Sequence, residues 1–177
     1  CLYWAIMAAQ CLGGIPVPLY QDSVAQEMKY VLDNADIRFA VVENQEQTDK
    51  LLEIREDCPK LETIIYEDTR GMNAYQQEFL HCFADVQQAG KEFDQQNKDF
   101  FETSIAQVSN SDTSIILYTS GTTGVPKGVV LSQDNLIQAS RSSADFDHLS
   151  SDEEVLAYLP MAWVGDNVFS IGQAYVR

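Results

Sequence analysis

The chain has 177 residues, 45% of them hydrophobic and 10% aromatic, enough to bury the core of one sizeable α/β domain or a large part of one, which excludes global disorder. A net charge of −16, from 27 acidic against 11 basic residues, argues against nucleic acid and against an anionic membrane as primary partners. The four cysteines, Cys1, Cys11, Cys58 and Cys82, make no C-x-x-C pair and no histidine partners them in a ligand pattern, so no metal site is expected, and a reduced cytoplasmic compartment fits better than a disulfide framework.

The chain opens in an apolar helical run, Leu2 to Ala9, that ends at Gly13-Gly14, a natural helix stop. About a dozen residues cannot span a bilayer, and no basic segment precedes the run as in a signal peptide. The run starts without an initiator Met, and residues 172–177 stop within an amphipathic pattern; both ends read as cut from a longer polypeptide. Ile15-Pro16-Val17-Pro18-Leu19 reads as an extended segment, confined by its prolines to a sheet edge or strand end. Ser23 to Gln26 offers a capping-box start, and Val24, Met28, Val31, Leu32 and Ala35 mark one face of the helix after it.

Phe39-Ala40-Val41-Val42 and Thr63-Ile64-Ile65-Tyr66 read as buried strands around a helix from Glu46 to Arg55 that carries Leu51 and Leu52. Such β–α–β alternation implies a parallel sheet. From Asn73 to Ala89, Tyr75, Phe79, Phe83 and Val86 recur at helical spacing and are expected as a core stripe. His81 beside Cys82 suggests a catalytic pair only superficially, since adjacent side chains on a helix diverge. Residues 90–111, richer in Lys, Asp, Gln and Asn, read as a connector or an irregular stretch.

Then comes the most informative segment, Tyr118-Thr119-Ser120-Gly121-Thr122-Thr123-Gly124-Val125-Pro126-Lys127-Gly128. Ile115-Ile116-Leu117 precedes it and Val129-Val130-Leu131 follows: strand, loop, strand. Glycines let backbone N–H groups converge on an anion, hydroxyls add donors, and a lysine supplies a mobile charge suited to phosphate. It is not a P-loop, because Lys127 precedes Gly128 and Val129 stands where the magnesium-binding hydroxyl belongs. It is not a dinucleotide fingerprint either, because Gly121, Gly124 and Gly128 are spaced by three and four. An ordinary hairpin turn seldom needs four aliphatic hydroxyls and a lysine together. Beyond it, Ser132 is expected to cap a helix reaching about Ala144. Ser150 to Glu153 offers a second cap or a solvated turn, and Val155 to Leu159 a further strand closed by Pro160.

Tyr118 to Val129 closely resembles the signature loop of the adenylate-forming superfamily, [YF]-T-S-G-[ST]-T-G-x-P-K-G-V, which includes acyl-CoA synthetases, peptide-synthetase adenylation domains and luciferases. Gly13 to Tyr20 is similar to that family's earlier G-G-x-x-V-P-L motif. Leu159 to Val164 sits where relatives carry L-P-[LM]-x-H-x, and Ala157 to Asp166 most resembles bacterial-type long-chain acyl-CoA synthetases. The resemblance implies an α/β fold with alternating helix and strand and a mainly parallel sheet, part of the large N-terminal domain of an adenylate-forming enzyme. Residues 1–177 would form a partial AMP-binding domain: a first α/β segment over 1–89, a connector over 90–111, and a segment over 112–177 carrying the phosphate loop.

The reaction implied is ATP-dependent activation of a carboxylic acid, a long-chain fatty acid by preference, to an acyl-adenylate and then to a thioester with coenzyme A. Thr119, Ser120, Gly121, Thr122, Thr123, Gly124 and Lys127 would bind the nucleotide, with Lys127 and Thr123 in the catalytic role. Pro126 would stiffen the loop's exit. Trp163 replaces the family's histidine, and would either border the acyl channel or be a core tryptophan. Magnesium would accompany ATP, held by a residue outside this chain. The ribose, adenine and C-terminal lysine elements have no match either, so these 177 residues alone are expected to be inactive. The partners implied are small molecules, ATP, fatty acid and coenzyme A, for a cytoplasmic parent with room for peripheral membrane contact. An aryl or medium-chain acid is the alternative substrate. A non-catalytic nucleotide-binding module and an acid-rich interaction protein are the alternative functions.

Overall fold

A computed structural model describes residues 2–119 and 125–177. The chain divides into two compact units. One comprises the described residues up to Leu12 together with Gln21–Ala106; the other comprises Gly13–Tyr20 and the described residues of Gln107–Arg177.

The first unit is an α/β layer around a parallel sheet. Helix α1 (Leu2–Cys11) ends where Leu12 donates back to the Ala8 and Ala9 carbonyls and Gly13 adopts φ +72°, the left-handed turn expected of its glycine. Helix α2 (Ala25–Asn34) is capped one residue later than expected, at Val24. Valine offers no acceptor, so only half of a capping box forms: the Glu27 carboxylate accepts from the Val24 N–H at 3.4 Å. Its buried face is Ala25, Met28, Val31 and Leu32, whereas Val24 is exposed.

Strands β1 (Phe39–Val42), β2 (Thr63–Tyr66) and β3 (Leu80–Cys82) lie in that order, parallel throughout, with Phe39 opposite Thr63 and Ile64 opposite Leu80. Helix α3 (Gln45–Ile54) makes the crossover between β1 and β2 and starts at Asn44, whose Oδ1 accepts from the Gln47 N–H at 3.2 Å. Leu51, Ile54, Leu61 and Ile64, each at most 1% exposed, are the centre of this core.

Strand β3 overturns the helix expected from Asn73 to Ala89. Gly71 takes a left-handed conformation, a short 3₁₀ turn follows over Met72–Ala74, and Tyr75 continues extended. The Phe79 carbonyl then accepts from the Ile64 N–H at 2.9 Å, so the chain joins the open edge of β2. Unpaired strand groups outweigh a helical spacing of aromatics. Helix α4 (Phe83–Gln96) begins only afterwards, and the expected stripe is no core: Val86 is exposed and Tyr75, Phe79 and Phe83 are half-buried. His81 and Cys82 diverge as neighbours on a strand do, pointing to opposite faces. Much of residues 90–111 is helical, in α4 and in α5 (Phe100–Gln107), with Phe93 and Phe100 packed edge to face at 5.0 Å.

The second unit is built on an antiparallel hairpin, β4 (Thr113–Thr119) and β5 (Lys127–Ser132). The segment after Gly13 runs extended beside it, where the Pro16 carbonyl accepts from the Ile116 N–H at 3.1 Å. Helix α6 (Gln133–Phe146) follows, with a complete cap: Ser132 Oγ accepts from the Asn135 N–H at 3.1 Å and Asn135 Oδ1 from the Ser132 N–H at 3.0 Å. No strand forms at 155–159, where Leu156 and Tyr158 are 81% and 78% exposed. Among the described residues no strand lies beside that run, and an unpartnered strand has nowhere to place its backbone hydrogen bonds. A helical segment closes the chain, with a π-helical stretch over Asp166–Gly172 and helix α7 (Gln173–Val176).

Candidate functional site

The site grows from the β4–β5 register. Ile115 to Tyr118 pair with Leu131 to Gly128, and the last pair places Thr119 opposite Lys127 at the mouth of the hairpin. On β4, Ser114, Ile115, Leu117 and Tyr118 are buried, which anchors the strand beneath that mouth. Ser114 Oγ donates to Gln133 Oε1 at 3.0 Å, tying β4 to the start of α6. Gly128 has a spatial reason: a Cβ there would stand 2.9 Å from Ile116 Cγ2 and 3.3 Å from Tyr118 Cζ. The Tyr118 ring thus lies across the strand partner that lacks a side chain, an aromatic covering a glycine.

Thr119 and Lys127 are both exposed, and Pro126 precedes Lys127 half-buried. Ser120, Gly121, Thr122, Thr123 and Gly124, the remaining residues of the expected phosphate loop, lie outside the described residues. Lys127, Arg141 and Arg177 are the cationic side chains of residues 107–177, and Arg177 is paired with Asp145. Among the described residues no carboxylate pairs with Lys127, so its charge is available at the hairpin mouth. A hydroxyl and an ammonium on facing strand ends form a donor-rich rim suited to a polyanion. Among the described residues no group of three His, Cys, Asp or Glu side chains could hold a metal.

Trp163, the other residue singled out, ends a turn closed by its N–H on the Pro160 carbonyl at 2.9 Å. It is 49% exposed among the described residues. Beneath it lies a group that sequence reading missed. Asn167, 5% exposed, donates both amide hydrogens, to the Met161 carbonyl at 3.1 Å and to the Trp163 carbonyl at 2.8 Å. Gln173, 6% exposed, donates to Ser143 Oγ at 3.1 Å and to Asp147 Oδ2 at 3.4 Å, fastening the closing helix to α6. The signal was present as an Asp-Asn pair inside an otherwise apolar run.

The AMP-binding enzyme family matches residues 2–174. The chain is 32% identical over 171 residues to the long-chain-fatty-acid–CoA ligase ACSBG2 of Xenopus laevis, an alignment spanning 90% of this chain and 21% of that protein. Its fold is similar to a crystal structure of a long-chain-fatty-acid CoA ligase described as putative, from Rhodopseudomonas palustris. The TM-score is 0.71 at 17% identity, over 98% of this chain and 39% of that one. ATP-bound MatB from the same organism matches with a TM-score of 0.64 at 20% identity, over 97% of this chain and 30% of that one.

Proposed function

From the premise that this chain belongs to the AMP-binding enzyme family, we propose that the intact protein is a long-chain acyl-CoA synthetase, activating a fatty acid with ATP and passing the acyl group to coenzyme A. The observation that carries this reading is the pairing of Thr119 with Lys127 at the mouth of the β4–β5 hairpin, where the signature segment leaves one strand and re-enters the other. Attack of a carboxylate oxygen on the α-phosphorus forms the mixed anhydride and releases pyrophosphate; the thiol of coenzyme A then displaces AMP from the acyl carbon. In the first step charge gathers on phosphate oxygens, so positioned donors lower the barrier.

Ser120, Gly121, Thr122, Thr123 and Gly124 contact the β- and γ-phosphates in this reading, Thr119 shapes the loop's entry, and Lys127 neutralises the departing pyrophosphate. Magnesium travels with ATP and is assigned no ligand in this chain. Long-chain acid is preferred over aryl or medium-chain acid because of the likeness to ACSBG2, with Trp163 bordering the acyl channel. The parent works in the cytoplasm, with peripheral membrane contact where its substrate is; among the described residues no helix is long and apolar enough to cross a membrane.

Lys127→Ala in the intact protein tests the assignment. Fatty-acid-dependent pyrophosphate exchange should slow by about 100-fold, the order seen when one transition-state donor is removed. Unchanged exchange would remove Lys127 from the chemistry and favour a module that binds nucleotide without turning it over. Competition among fatty acids of increasing length, benzoate and cinnamate decides the substrate class, and preference for the aryl acids would overturn the long-chain assignment. The 177 residues alone should show no exchange.

A further inference from the structure

The closing helical segment is turned inside out. Its buried side carries Asp166, Asn167 and Gln173 beside a single apolar residue, Val168, and its outward side carries Val164 and Phe169, which with Trp163 of the preceding turn are each about half-exposed. A helix on a protein surface ordinarily shows the opposite pattern. The polar side is held by directional bonds: Asn167 to the Met161 and Trp163 carbonyls, Gln173 to Ser143 of α6 and to Asp147 at its C-terminal cap. Gly172 completes the fit. A Cβ there would collide with Ser140 Oγ and stand 2.8 Å from the Asn167 carbonyl oxygen, so the segment approaches α6 as closely as a bare backbone allows. Ser140 Oγ is itself buried without a hydrogen-bond partner, so this seam is set by close fit and not by that hydroxyl.

Hydrogen bonds and close packing therefore fix the rotation of the segment about its axis, which leaves the preceding turn, Pro160 to Trp163, as the part to be oriented. Asn167 does this. Its amide takes two carbonyls of that turn at once. Asn167 sits in a π-helical stretch, a rare geometry found frequently at functional sites.

We propose that Asn167 is a positioning residue: by gripping the Met161 and Trp163 carbonyls it sets the direction of the Trp163 indole and thereby which acids the intact enzyme accepts. This rests on the reading that Trp163 borders the acyl channel. The protein then carries a specificity determinant that does not itself touch substrate.

The test uses the intact protein and fatty-acid-dependent pyrophosphate exchange over acids of increasing chain length. Asn167→Ala should raise KM for the preferred acid about tenfold and flatten the chain-length profile, a modest misplacement effect, while KM for ATP stays within about twofold. Asn167→Thr should recover most of the loss, because a threonine hydroxyl in a helix reaches the carbonyl four residues back, here that of Trp163. In a Trp163→Ala background Asn167→Ala should add nothing, since the two act as one unit.

Parallel rises in KM for acid and ATP, additivity with Trp163→Ala, or no recovery by threonine would each overturn the inference. Where the alanine variant does not accumulate as folded protein, Asn167→Leu, which keeps the volume and removes both donors, alone and combined with Trp163→Ala gives the same decision through non-additivity. Failure of the underlying reading looks different. Wild-type protein without acid-dependent exchange, or Trp163→Ala with an unchanged acid KM, removes both. Trp163→Ala altering KM while Asn167→Ala does not removes only the role of Asn167.

Discussion

Gly128 shows how a motif glycine can be demanded by a neighbour and not by its own torsion angles. Its φ is not in the left-handed region, and the constraint is the space taken by Ile116 Cγ2 and the Tyr118 ring on the partner strand. Ile116 and Tyr118 are two apart on β4, so they share a face, and that face would receive the new side chain. Gly128→Ala should therefore destabilise the second unit by about 1–3 kcal/mol, the usual cost of overpacking. Urea unfolding of the intact protein measures it, with Val129→Ala on the exposed neighbour as a control. Equal midpoints for the two variants would mean the ring swings aside freely.

Helices in this protein tolerate glycine for opposite reasons, and the difference is measurable. Gly90 lies inside α4 with nothing within 4 Å of a would-be Cβ, whereas Gly172 meets Ser140 and the Asn167 backbone. Gly90→Ala should stabilise by about 0.5–1 kcal/mol through helix propensity alone. Gly172→Ala should destabilise by roughly 1–3 kcal/mol because the seam with α6 cannot widen without breaking the Gln173 bonds. Denaturant midpoints of the two variants should move in opposite directions; a shift of the same sign would show that the α6 seam is looser than its geometry implies. The elements legible in the sequence were those whose signals are local: the Ser132 cap, the Gly13 stop, and the apolar runs of β1, β2, β4 and β5. Ser23 failed as a cap because Glu27 serves the N–H of Val24, one position on, and a period of about four among Tyr75, Phe79 and Phe83 could not reveal that β2 has an open edge.

Across the first unit, electrostatics predicts a stability plateau with two different limbs. Arg38 grips Glu62 through two bonds, Nε to Oε1 at 2.7 Å and an outer guanidinium nitrogen to Oε2 at 3.0 Å, and holds its carboxyl below the ordinary range. The Arg70 side chain and N–H do the same for Asp68. These groups bind fewer protons folded than unfolded, so their stabilisation is present above the ordinary carboxylate range and fades as pH falls through it. Arg38, Glu62 and Arg70 are exposed and Asp68 is half-buried, and each contribution is small. Cys58 is the reverse case: burial first, and then the Asp33 carboxylate, push its thiol up. Its contribution is full below the ordinary thiol range and lost as pH rises through it. Melting temperature measured from about pH 3 to about pH 11 should fall at both ends, and salt should weaken only the acid limb. Cys58→Ala should flatten the alkaline limb; an unchanged limb would assign it to Lys29, whose ammonium is held up by its hydrogen bond to Asp57.

The sequence by itself determined the family and the chemistry it implies, because Tyr118 to Val129 needs glycine, hydroxyl and lysine in a fixed order and that order is written in adjacent residues. It also determined the strand-loop-strand framework, since two apolar runs flanking one loop have few other ways to pair. Only the tertiary structure decided which edge of β2 would be filled, that residues 155–159 would stay unpaired, that Thr119 would face Lys127, and that Asn167 would hold the turn before it. Those outcomes depend on backbone groups far apart in the chain finding each other, and a hydrogen bond leaves no mark in the sequence until both of its partners have been placed.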